Sequence, residues 1–176
     1  DFVSQSAKFL EKSATSTTFT MSDIVVSPDN STPAVQKYGN DLGLAFKTNK
    51  PNSTYSNEVE ILVQILETKD INKIQELKEI SLIYQNTIKS ILRITVPSSF
   101  ATEHLNIISN MNGLVDSINK MSFVLDDPLY AIAGLNDFVA QDKNLINSIV
   151  KIRSELLKMG SIYKQGDNGY FLYFGI

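Results

Sequence analysis

Residues 100–125, FATEHLNIISNMNGLVDSINKMSFVL, decide the reading of the fold. Phe100, His104, Ile107, Met111, Leu114, Ile118, Met121 and Leu125 follow one another at intervals of 4, 3, 4, 3, 4, 3 and 4 residues. A helix turns once in about 3.6 residues, so this spacing lines all eight side chains along one face as an unbroken heptad seam. Ile108 and Val115 thicken it. A seam of this kind needs other helices to cover it, which predicts a bundle.

Outward from the seam, punctuation marks further helices. Pro97 pushes Val96 out of helical geometry, and Ser98 or Ser99 is placed to cap the seam helix. Downstream, Asp127–Pro128 is a strong helix start, with Phe138, Leu145, Ile149, Ile152, Leu156 and Met159 on one row. Asp142 interrupts that row, so a kink is expected near QDKN at 141–144. Gly160 is a natural stop.

Upstream, Thr32–Pro33 opens a helix carrying Val35, Tyr38, Leu42 and Phe46. Asn57 with Glu60 has the form of a capping box, giving a helix through Leu66. Asp70 caps again after a bend at ETKD, and Ile74, Leu77, Tyr84, Ile88 and Ile91 form the next stripe.

The two ends read differently. FVSQSAKFLEKSA offers a short amphipathic helix through Phe2, Val3, Phe9 and Leu10. TSTTFTMSDIVV suits an extended segment, with Phe19, Met21 and Val25 or Val26 alternating. After Gly160, SIYK, the turn QGDNG and the aromatic run YFLYF read as a two-stranded ending, for which the early extended segment is the obvious partner. The expectation is therefore an all-α protein: a bundle of about five helices with a short extended N-terminal segment and an aromatic C-terminal strand or hairpin. Residues 1–30 form the linker or extended segment, and residues 31–176 the bundle with its β-like tail.

Composition narrows function. A chain of 176 residues with 43% hydrophobic side chains can build a core, and with no cysteine it has neither disulfides nor thiolate chemistry. The net charge of −3 and only two arginines, Arg93 and Arg153, argue against a nucleic-acid partner. No apolar run is long enough to span a membrane. The chain opens at Asp1 rather than Met, which is read as an excised start with an anchor or export signal upstream.

Candidate sites are few. His104, the only histidine, occupies a core-facing seam position. The plain reading is a packed imidazole with one nitrogen hydrogen-bonded. The sharper reading, a metal ligand or general base, lacks partners: residue 101 is Ala where a di-iron bundle would place Glu, and no second histidine exists. A hydrolase triad has Ser and Asp enough, but no G-x-S-x-G elbow, and no phosphate-binding glycine loop occurs.

In YGNDLG, Gly39 and Gly43 lie one turn apart. They serve either close backbone approach or a groove in which Tyr38, Asn40 and His104 face a ligand. Tyr170, Phe171, Tyr173 and Phe174 form an aromatic surface for partner binding, for instance by strand addition. N-x-T sequons at Asn30 and Asn52 fit exposed loops. No catalytic, cofactor-binding or metal-binding residue is assigned.

STPAVQKYGNDLG, VPSSFATEHLNIISNMNGL, DDPLYAIAGLNDF and GDNGYFLYF, in that order, resemble the uncharacterised membrane-anchored helical envelope proteins of candidate phyla radiation bacteria, over about residues 16–174. The resemblance implies a membrane helix upstream of Asp1 and an extracytoplasmic, cell-surface domain, and it implies no activity. The function expected is a non-catalytic exported domain with a structural or protein-interaction role, binding a protein rather than nucleic acid or cofactor. The alternative is a small-molecule-sensing ectodomain with a pocket between helices.

Overall fold

The computed structural model describes residues 17–50 and 57–175. The amphipathic stretch at Phe2–Leu10 and the Asn52 sequon lie outside these. Five long helices account for most of the fold: α1 (Thr32–Thr48), α2 (Glu58–Thr68), α3 (Ile71–Ile91), α4 (Ala101–Met121) and α5 (Pro128–Lys158). A single short turn, α6 (Phe171–Phe174), follows near the end. Two three-residue strands, β1 (Val25–Ser27) and β2 (Thr95–Pro97), pair in parallel with Val26 opposite Val96. The all-α bundle expected from the seam is what the chain forms.

The seam helix is α4, and α4 with α5 is the most extensively packed pair. Phe100, His104, Ile107, Met111, Leu114, Ile118 and Met121 are all buried, with Leu125 partly so where the helix has ended. Around this line pack Val35, Tyr38 and Leu42 of α1, Ile61 and Ile65 of α2, Leu77 and Ile91 of α3, and Ile149, Ile152 and Leu156 of α5. Burying each such side chain stabilises the fold by about 1.5–3 kcal/mol before entropy opposes it.

Helix ends follow local chemistry. Asn57 accepts from the Glu60 amide at 2.9 Å, Asp70 from that of Asn72 at 2.9 Å, and Asp127 from that of Tyr130 at 3.1 Å. These bonds satisfy donors that a helix start leaves open. The bend at ETKD is real, with Lys69 in the left-handed region at φ 58°. Gly160, at φ 76°, ends α5 as the Ser161 amide turns back to the Leu156 carbonyl at 2.9 Å.

Four expectations are corrected. First, α5 runs without interruption through QDKN. Asp142 is only half-buried, at the margin of the core, so it demands no kink there. Second, Ser98 and Ser99 do not cap α4. They form a 3-10 turn with Phe100 at the α4 N-cap, and their hydroxyls meet the Asn30 side-chain amide at 2.9 Å each. Third, the segment before β1 is not uniformly extended. Met21–Asp23 makes a 3-10 turn closed by Asp23 on Thr20, and Ile24 is the buried residue while Met21, Val25 and Val26 stay exposed. Fourth, the aromatic ending is neither strand nor hairpin. Asn168–Tyr170 is a 3-10 turn leading into α6, and β1 pairs with β2 instead. Local strand preference yields here to tertiary contact: in helical geometry Tyr170 and Phe174 stack with ring centroids 4.3 Å apart.

Candidate functional site

The groove residues come together, and the chain itself fills the space beside them. Gln36, Gly39, Asn40 and Gly43 present one face of α1 to residues 161–170. Gln36 donates to the Ile162 carbonyl at 3.0 Å, and Asn40 accepts from the Gly169 amide at 2.8 Å. A Cβ on Gly43 would overlap the Asn168 carbonyl, and one on Gly39 the Tyr163 phenol. Both glycines therefore serve close approach, one to backbone and one to an aromatic ring. Burial pushes the Tyr163 hydroxyl up to about 12.

Tyr38 and His104 lie on the far side of this contact, deep in the core. The Tyr38 hydroxyl and His104 Nδ1 are 3.1 Å apart, and the Phe100 ring lies 5.0 Å from that of Tyr38, centroid to centroid. The imidazole is 0% exposed. No atom meets Nε2 with hydrogen-bond distance and angle. Loss of hydration lowers the His104 pKa from 6.5 to about 4, with the backbone carbonyl of Ile91 acting more weakly in the opposite sense. Burial likewise raises the Tyr38 phenol, aided by the neighbouring Tyr163. The pair is neutral, without a path to solvent, and it joins α1 to α4. The polar groups beside this imidazole are the Tyr38 hydroxyl and the Ile91 carbonyl.

The aromatic ending divides by exposure. Tyr173 donates to the Arg153 carbonyl at 3.2 Å, and the Arg153 guanidinium lies 6.0 Å from the Tyr173 ring centre. Leu172 is buried, Tyr170, Phe171 and Tyr173 are half-buried, and Phe174 alone is 71% exposed. Most of this aromatic surface therefore packs against the bundle, chiefly on α1, with Tyr173 tied to α5.

A cavity of about 230 Å³ lies between the helices, bounded by Phe46, Tyr84, Met111, Leu145, Ile149 and Phe171. Its lining is chiefly apolar. Asp142 and Lys50 stand at its edge, and Tyr84 donates to Glu58 at 2.6 Å. Among the described residues no group of three or more His, Cys, Asp or Glu side chains is placed to hold a metal ion.

The feature that the sequence reading overlooked is the solvent side of α5. Leu129, Ile132, Val139, Ile146, Val150 and Leu157 are all exposed, from 50% at Val150 to 80% at Leu129. Their intervals of 3, 7, 7, 4 and 7 residues repeat the heptad spacing, so they form a second seam on a helix whose first seam is already buried. The signal was present in the sequence as a second apolar register between Pro128 and Lys158. Scattered surface apolar residues are ordinary, but six in one register along a single helix, broken only at Asn136, Lys143 and Arg153, are not.

Comparison with protein-family models, with curated proteins and with solved structures finds nothing that matches this chain.

Proposed function

We propose that this chain is a non-catalytic helical interaction domain, held on the outer side of a bacterial envelope by a membrane helix upstream of residue 1, and that it works by docking protein through the exposed face of α5. The observation that carries the docking reading is the row from Leu129 to Leu157, six large apolar side chains left in water on one helix. Such a row disfavours the isolated domain and becomes favourable when another helix covers it. The envelope location is supported by the Ser/Thr/Asn-rich surface and by the resemblance to anchored envelope proteins.

A photo-crosslinking residue at Val150, compared with one at Lys78 on the exposed side of α3, tests the docking face in producing cells. Protein adducts at position 150 and none at position 78 support the reading; equal yields reject it. Cell fractionation tests the location, and recovery of the full-length product from the cytoplasm would refute it.

The 230 Å³ cavity favours a second reading, a sensor of a small apolar ligand. It is smaller than the usual range of ligand sites, about 300–1,000 Å³. Ligand-dependent thermal upshift that disappears in Met111→Phe, while folding persists, would support the sensor over the docking domain.

A further inference from the structure

We propose that the cavity between α1, α3, α4 and α5 binds a small α-amino acid with an apolar side chain, the side chain lying inside and the ammonium and carboxylate groups at the edge marked by Asp142 and Lys50. This rests on the cavity being a ligand site, the second reading of function, and names the class of ligand.

Asp142 is the residue that the packing leaves unexplained. Phe138, Asp142, Leu145, Ile149, Ile152 and Leu156 follow one another along α5 at intervals of 4, 3, 4, 3 and 4 residues. The other five are buried apolar side chains, so Asp142 holds a seam position at which a sixth belongs. It caps no helix and bends none. Among the described residues its carboxylate has neither a hydrogen bond nor an ion pair. It borders the cavity, near enough to the Tyr84 phenol to raise its pKa, after burial and the Glu58 carboxylate. A half-buried charge without a partner weakens a fold, and such breaks of pattern concentrate where a ligand is met.

Lys50 borders the same cavity and also has no ion pair among the described residues. Opposite charges that share one cavity without neutralising each other suit a molecule that carries both signs.

The interior calls for the reverse chemistry. Its polar side chains are satisfied within the protein: Thr87 donates to the Ile83 carbonyl at 2.9 Å, Tyr84 to Glu58 at 2.6 Å, and Asn49 to the Ala45 carbonyl at 2.8 Å. Phe46, Met111, Leu145 and Ile149 supply much of the remaining wall. Lys50 is exposed and Met111 is 1% exposed, so the space runs from the surface into the core. Such a wall favours an apolar group over water. An apolar cavity of about 150 Å³ admits benzene, and this one, at about 230 Å³, has room for a leucine or phenylalanine side chain.

Isothermal titration of the purified chain with L-leucine, L-phenylalanine, glycine, isoamylamine and isocaproate tests the proposal. Leucine and phenylalanine should bind saturably. Isoamylamine, which lacks the carboxylate, and isocaproate, which lacks the ammonium, should bind roughly tenfold more weakly or worse, and glycine not at all. Asp142→Asn and Lys50→Gln should each weaken leucine by a similar factor while the Tm without ligand is kept. Asp142→Leu completes the apolar row, so it should raise the Tm of the unliganded chain and abolish binding.

Isoamylamine or isocaproate binding as tightly as leucine overturns the proposal, as does leucine binding that is indifferent to Asp142→Asn or Lys50→Gln. If the amino acids do not bind but benzene raises the Tm of the unmodified chain and not that of Met111→Phe, the ligand class is wrong and the cavity reading stands. If neither has an effect, both fall together.

Discussion

The Tyr38 hydroxyl stands 3.1 Å from His104 Nδ1, a polar contact buried in the core beside the Phe100 ring. One neutral imidazole nitrogen is thereby satisfied and the other is not. Stability, rather than chemistry, is where this pair should be felt.

The first expectation concerns pH. The folded-state pKa of His104 is lowered from 6.5 to about 4. Below pH 6.5 the unfolded chain therefore binds a proton that the folded chain refuses, and stability falls as pH drops toward 4. Below that the folded form also binds the proton, and the loss levels off. The full difference is about 3 kcal/mol. Denaturant melts between pH 7.5 and pH 4 should show it, and His104→Phe should lack that part of the slope. An identical profile in the variant would mean that the ring is hydrated in the folded protein.

The hydrogen bond itself can be isolated. Tyr38→Phe leaves His104 Nδ1 without its hydroxyl partner in the core. It should destabilise the protein by about 1–3 kcal/mol. In a double-mutant cycle with His104→Phe the two changes should be non-additive, since each removes the same contact. Additive costs would show that the two groups do not interact.

Core truncation on the α4 seam should be expensive. Met111 and Leu114 are each 1% exposed, and Met111→Ala or Leu114→Ala should cost about 2–5 kcal/mol. His104→Ala should cost less, because it also removes a desolvated nitrogen whose hydrogen bonding is poor. Chemical denaturation of the three variants checks the order.

Gly43→Ala addresses the closure of the tail. The added methyl meets the Asn168 carbonyl, which is backbone and cannot rotate aside. Destabilisation of about 1–3 kcal/mol is expected, as for other overpacked sites. Amide exchange should rise selectively over residues 161–175, and unchanged protection there would disprove the contact.

The helices were legible because their signals are local. A proline, a capping carboxylate or a 4–3 repeat acts within a turn or two, and Asp70, Asp127, Gly160 and the α4 seam all behave as their chemistry dictates. His104 was readable as packing for the same reason, since its seam position alone sets the direction of the ring. What escaped was set by contacts across the chain. YFLYF has the composition of a strand, yet Asn40 and Gly43, more than 120 residues earlier, hold the preceding turn in place. Ser98 and Ser99 look like caps, but Asn30, with a sequence separation of 69 to Ser99, takes both hydroxyls. The outer seam of α5 was visible in principle. Reading one apolar row per helix concealed it.

The seat of residues 161–170 on α1 also bears on the order in which the molecule can assemble. Gln36 and Ile162 are 126 residues apart, and Asn40 and Gly169 are 129 apart. At roughly 5–20 residues per second, translation takes on the order of 6–25 s to cover such a gap. For that interval the face of α1 carrying Gln36, Gly39, Asn40 and Gly43 stays without its cover, so amide protection along α1 in ribosome-bound chains should be completed only once Gly169 is available to dock.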